Sequence, residues 1–210
     1  MTRQMNTSEN IILVDLENTL IFQEKSELDK IGSYHSDNKG LFSHRNKKWY
    51  QNSALIDTLE KLKNENGYDV FVATSANGFE VQVEIMENWH FISAIFQKAK
   101  SSYDGGMLGV FNTAFPDKKI KNCILIGDSE NDQCTKDKNK NAEKLASILL
   151  NPTETKELNG VKVCHTVAEV NKYLADFTGN QNLLSAEKSE QSKNTDILSK
   201  LKFLQNDKIR

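Results

Sequence analysis

IILVDLENTL, residues 11–20, is the stretch whose reading decides the fold. Ile11, Ile12, Leu13 and Val14 form a short, nearly continuous apolar run, which suits a strand buried on both faces of a parallel sheet. Two carboxylates, Asp15 and Glu17, arrive where that run ends. An acid at the end of a buried strand is costly to desolvate unless something pairs with it or uses it.

Working outward, the same grammar repeats. DVFVAT, residues 69–74, is a second strand signal that runs into Thr74 and Ser75. CILIGDS, from Cys123, is another, and it leads into GDSEND with Asp128 and Asp132. Between the first two lies an amphipathic helix over Ser53 to Asn66, with Leu55, Ile56, Leu59 and Leu62 on one stripe. Ser53 is its expected N-cap, and Gly67 closes it. Helices over Glu80 to Asn88 and Met107 to Phe115, with a short strand at Phe91 to Phe96, precede the GD strand. A helix over Asn141 to Leu145, a strand at Ser147 to Leu150, a small strand at Val161 and a helix over Val167 to Phe177 follow it. Alternating strand and helix predict an α/β fold, a doubly wound, Rossmann-like parallel sheet.

The spacing also divides the chain. Residues 1–177 read as one domain carrying a small insert at about 22–51, and residues 178–210 as a polar tail. In that tail Leu198, Leu201 and Leu204 stand at helical spacing among lysines. It reads either as a flexible linker or as an amphipathic segment that contacts a partner or an anionic membrane.

Lys plus Arg at 27 against Asp plus Glu at 29 leaves a net charge of -2, which gives no global attraction to nucleic acid. Three cysteines without a CxxC pair suit a reducing, cytoplasmic compartment. No run approaches the ~18 apolar residues of a membrane span, so a soluble monomer is expected. Secretion into a host cell without a signal peptide stays compatible with these features. A cysteine-based tyrosine phosphatase is excluded, because the positions six beyond Cys123, Cys134 and Cys164 are Ser129, Lys140 and Val170 rather than Arg. His35, His44, His90 and His165 show no zinc spacing, and no GxxxxGK loop is present.

In an open α/β sheet, binding groups gather beyond the carboxyl ends of the strands. If the three strands are neighbours, Asp15, Glu17, Asp128 and Asp132 converge, and four carboxylates in one crevice call for a cation. A hard divalent ion with oxygen ligands, Mg2+, suits that set.

DLENT, a later strand ending in Thr74, and GDSEND together resemble, in this order, the haloacid dehalogenase superfamily of phosphohydrolases, with its DxDx(T/V) and GDxxxD motifs. The resemblance spans about Ile11 to Phe177. It implies that Asp15 is a nucleophile forming an aspartyl phosphate, and that Mg2+ is held by Asp15, the Glu17 backbone carbonyl and Asp128, with Asp132 acting nearby. It also implies that Thr74 donates to a phosphoryl oxygen, with Ser75 beside it, and that a lysine completes the phosphate site. Lys100 is the first choice for that lysine, Lys98 its near rival; Lys118 and Lys119 read as a solvated turn. The second acid is Glu17 where the family has Asp. Glutamate keeps the proton chemistry but moves the acid by about one bond length.

An insert this short implies a cap-less member with an open site. Open members commonly act on macromolecules, and several, including effectors of intracellular bacterial pathogens, hydrolyse phosphotyrosine on proteins. The expectation is therefore a Mg2+-dependent phosphoprotein phosphatase. A phosphatase for a small metabolite or nucleotide, or a weakened binding module, is the alternative. The cluster His44, Arg45, Lys47, Lys48, Trp49 and Tyr50 reads either as a rim that receives phosphate or an aromatic ring, or as a solvated loop with Trp49 packed on the core.

Overall fold

The computed structural model describes residues 10–75, 78–97, 105–135, 138–139 and 141–184. Six strands form one parallel sheet: β1 (Asn10–Asp15), β5 (Asp69–Thr74), β6 (Ile92–Gln97), β7 (Ile120–Gly127), β8 (Ala142–Leu150) and β9 (Val161–Cys164). Their spatial order is β6-β5-β1-β7-β8-β9. From β1 the chain builds outward first on one side and then on the other, so the sheet is doubly wound and its switch point lies at β1.

The apolar run of β1 is explained by two cores. Ile12 and Val14 join Val70, Val72, Ile124 and Ile126 in the core that includes Leu55, Leu59 and Leu174 of α2 (Ser53–Asn66) and α5 (Val167–Thr178). Ile11 and Leu13 pack with Phe71, Leu125, Met107, Leu108 and Phe111 on the opposite face, under α4 (Gly106–Ala114). Ile11 to Val14 are all completely buried. A strand covered on both faces has no solvent side, so the alternation of an amphipathic strand is absent.

Two local expectations are corrected. The N-cap of α2 is Asn52, whose Oδ1 accepts from the Leu55 N–H at 3.2 Å; Ser53 is the first helical residue. Residues Asn141 to Leu145 do not form a helix: β8 starts at Ala142, and Lys144 and Leu145 pair with Asn122 and Cys123. Five residues are less than two helical turns, and nucleating so short a helix is unfavourable, whereas the edge of β7 offers a continuous ladder. Gly67 ends α2 at φ 69°, as its position foretold.

Packing continues past Phe177. Leu183, in a short 3-10 helix at Gln181–Leu184, is buried, and Asn180 Nδ2 donates to Glu65 Oε2 and Asn66 Oδ1. The expected polar tail, residues 178–210, is thus described only as far as residue 184, where it packs on α2 and α5; the remainder, with Leu198, Leu201 and Leu204, lies outside the described residues. Among the described residues no helix is long and apolar enough to cross a membrane. Cys123, Cys134 and Cys164 are buried free thiols; burial pushes the Cys164 thiol up to about 11.

The insert folds on the main sheet. β2 (Ile21–Phe22), β4 (Lys47–Gln51) and β3 (Phe42–His44) form a small antiparallel sheet, and α1 (Lys25–Lys30) lies between β2 and β3 in the chain. Arg45 and Asn46, at φ 51° and 58°, make the two-residue turn between β3 and β4, in which both central residues take positive φ. Phe42 stacks on Trp89 at 5.2 Å, just past α3 (Phe79–Asn88), while Ser43 N–H donates to Glu84 Oε1 at 2.7 Å. Trp49 is buried, and its Nε1 donates to the His44 carbonyl at 3.0 Å.

Asn52 ties this insert to the end of β1, because its Nδ2 donates to the Thr19 carbonyl at 2.8 Å while its Oδ1 caps α2. Asn52→Ala removes a cap and leaves buried groups unpaired, so unfolding in urea is expected to lose about 2 kcal/mol or more. A change within the scatter of surface substitutions would contradict this account of the Thr19 loop.

Candidate active site

β1 lies between β5 and β7, with Val14 opposite Val72 and Ile126 and with Asp15 opposite Ala73. The carboxyl ends of these three parallel strands therefore present Asp15, Thr74 and the Gly127-Asp128 turn side by side. The expected adjacency is found, and it follows from strand order rather than from chain distance. Asp15 and Asp132 are buried and Asp128 is half-buried, and each offers a carboxylate oxygen within 4.8 Å of the others.

Glycine makes this approach possible. A Cβ on Gly127 would stand 2.6 Å from the Asp132 Cβ and 2.7 Å from its Oδ2. Gly106, at φ 59°, places the start of α4 against the same turn, where a Cβ would meet the Asp132 carbonyl at 2.7 Å. Asp132 closes the 3-10 helix Glu130–Asp132 and accepts from the Ser129 N–H at 3.3 Å, a reciprocal cap that aims its carboxylate. Asn18, with φ 56°, turns the chain after Glu17 and donates from Nδ2 to Asp128 Oδ2 at 3.3 Å.

Three carboxylates so placed fit one hard divalent cation. Magnesium takes oxygen ligands at about 2.0–2.1 Å and keeps part of its water, so the three oxygens would close in on a shared ion with water completing its shell. Without a cation the three charges repel across a partly desolvated space.

The fourth acid goes elsewhere. Glu17 was expected to share the crevice with the other three; its carboxylate instead accepts from Thr74 Oγ1 at 3.1 Å on Oε2. Its Oε1 faces His44 Nε2 at 3.2 Å and Arg45 Nη2 at 3.2 Å. Burial acts to raise the Glu17 carboxyl, but the hydrogen bond and charge of His44 and the Thr74 hydroxyl outweigh it, and the group sits below its usual value. A carboxylate only accepts, so His44 donates through Nε2. Arg45 is more than half exposed, and solvent screens its contribution.

Of the other predicted residues, Ser75 follows β5 directly and is half-buried. Lys98 and Lys100 lie outside the described residues. Lys118 and Lys119 precede β7 at the edge of the sheet opposite the carboxylates. Lys118 is not a freely solvated turn residue, since its Nζ stands over Phe71 and Phe111 at 5.5 and 5.8 Å. Asn18 is not among the residues that the sequence singles out, and His44 and Arg45 stand there either in a rim or in a solvated loop. Asn18 carried one signal, the tolerance of Asn for left-handed backbone. His44 is 27 residues from Glu17, and their meeting depends on the hairpin's placement.

The fold and the site define a class: a doubly wound α/β protein with a carboxylate cluster at its switch point. No protein-family model matches the chain, and no curated protein matches it. Among solved structures, the chain is similar to a haloacid dehalogenase-like family hydrolase from Streptococcus pneumoniae. The two are 14% identical, with 80% of this chain and 100% of that one covered and a TM-score of 0.45. The assignment of roles therefore rests on the geometry above.

Gly127→Ala is expected to displace Asp132 and to weaken Mg2+ binding by about tenfold or more, measured by calorimetry. In the parent, millimolar Mg2+ should raise the melting temperature, because an ion that binds only the folded state stabilises it. Equal Mg2+ affinity in parent and variant would separate Asp132 from the ion.

Proposed function

We propose that the chain is a Mg2+-dependent phosphomonoesterase of haloacid dehalogenase type, acting through Asp15 on phosphorylated protein side chains, phosphotyrosine first among them. The observation that carries this reading is the cluster of Asp15, Asp128 and Asp132 at the ends of adjacent central strands, together with the order of the DLENT, Thr74 and GDSEND motifs.

Asp15, Asp128 and the Glu17 carbonyl would hold the ion, with Asp132 aiming its neighbours. Bound there, Mg2+ neutralises charge on the phosphoryl oxygens and orients them. A carboxylate oxygen of Asp15 attacks phosphorus in line as the bond to the leaving oxygen breaks, giving an aspartyl phosphate. Water then attacks that phosphorus, the Asp15–phosphorus link breaks, and phosphate leaves with the carboxylate restored. Glu17 is the acid that manages protons at the leaving oxygen and at the water. Lys100, or Lys98, is the cation proposed for the phosphate.

Two features support a protein substrate. The insert is a small sheet and one short helix, so the crevice is not roofed by a separate helical domain among the described residues. Phe79, the first residue of α3 on the same edge of the sheet, is 81% exposed and offers an apolar contact beside the site. The donors on Glu17 support an aryl leaving group. Thr74, His44 and Arg45 favour the ionised form of Glu17, which suits it as a base toward the water more than as an acid toward the leaving oxygen, and a tyrosine oxygen, with pKa about 10, needs far less proton assistance than an alkyl oxygen.

Parent protein is expected to hydrolyse p-nitrophenyl phosphate only with Mg2+, and Asp15→Asn to lose at least about a thousandfold. Activity that survived this substitution would remove Asp15 as nucleophile. Against a panel, phosphotyrosine peptides should be turned over at least about tenfold faster than phosphoserine peptides. Preference for one sugar phosphate or nucleotide would place the substrate among small metabolites.

A further inference from the structure

The insert's hairpin reaches the proposed site through one buried side chain. His44 ends β3, is 2% exposed, and places Nε2 at 3.2 Å from Glu17 Oε1. Its Nδ1 meets no hydrogen-bond partner among the described residues, so Glu17 is the ring's polar anchor there.

The hairpin does not depend on that imidazole for its placement. His44 is held by its backbone: it pairs with Lys47 across the turn, and its carbonyl accepts from Trp49 Nε1. Beside it, Ser43 is bonded to Glu84 and Phe42 is stacked on Trp89. A histidine kept for packing alone would carry the cost of a buried, half-satisfied ring where an aliphatic side chain would fill the space without it. The polar contact with Glu17 is what the ring adds.

Glu17 is in turn the residue whose reach needs control. Glutamate has one more rotatable bond than aspartate, so its carboxylate sweeps a larger volume, and a misplacement of about 1 Å can cost a hundredfold in rate. Thr74 Oγ1 on Oε2 and His44 Nε2 on Oε1 hold the two oxygens of the carboxylate, one from the main sheet and one from the insert. Arg45 adds a third donor from the solvent side, where it is free to exchange.

We propose that His44 is a positioning residue of the active site: from the β3–β4 hairpin it fixes the Glu17 carboxylate against Thr74 and so adapts the site to glutamate at this position. The inference rests on the phosphatase reading above. His44 touches no reacting atom and acts through Glu17.

The test is a double-mutant cycle on Mg2+-dependent hydrolysis of p-nitrophenyl phosphate. His44→Ala is expected to lower kcat about tenfold to a hundredfold with KM within about twofold of the parent. His44→Gln, whose amide can donate from near the Nε2 position, should recover most of that loss. In a Glu17→Ala background, His44→Ala should cost less than about twofold more, because its partner is already gone. Circular dichroism and Mg2+ affinity of both His44 variants should match the parent, which separates positioning from collapse of the hairpin. Equal losses in His44→Ala and His44→Gln, or a full additive loss in the Glu17→Ala background, would overturn the inference while leaving the phosphatase reading in place. A parent protein inert toward every phosphoester with Mg2+ would remove that reading and this inference with it.

Discussion

Three carboxylates held within 4.8 Å of one another, at the end of a strand buried on both faces, are the constraint on which the rest of the structure depends. Each would prefer water, and together they repel, so the fold must position them against their own electrostatics. It does so with rigid parts. β1 is clamped between β5 and β7 by two parallel ladders and sandwiched between two apolar cores. The backbone that carries Asp15 has little freedom to retreat.

Glycine and turn chemistry deliver the other two acids to that strand end. Gly127 lets Asp132 lie against the end of β7, and Gly106 lets α4 press on the turn that carries it. Asn18, in left-handed backbone, reverses the chain after Glu17 and reaches Asp128. The residues with no side chain are as much a part of the site as those with carboxylates.

The insert, too short for a domain of its own, uses the same economy. Its small sheet is fastened to α3 through Phe42 on Trp89 and through Glu84, and its two-residue turn carries His44 and Arg45 to Glu17. Glu17 is thereby withdrawn from the acidic cluster and set into a separate network with Thr74. Two acids two residues apart on the chain end in different electrostatic settings, one facing like charges and one facing donors.

By itself the sequence determined the α/β class, the central strands and the acids Asp15, Asp128 and Asp132. These are local signals: unbroken apolar runs mark strands covered on both faces, and a polar residue straight after such a run lies at a strand end. It also foretold Gly67, since a helix stop is a property of one position. The β8 strand was misread over Asn141 to Leu145, because its start is stabilised by pairing with β7 and not by its own composition. Only the tertiary structure decided where the Glu17 carboxylate points and that His44, a rim candidate in the chain, is buried against it. Those contacts join residues tens of positions apart through a hairpin whose seat depends on Trp89 and Glu84. Their geometry is a product of packing, which no local pattern encodes.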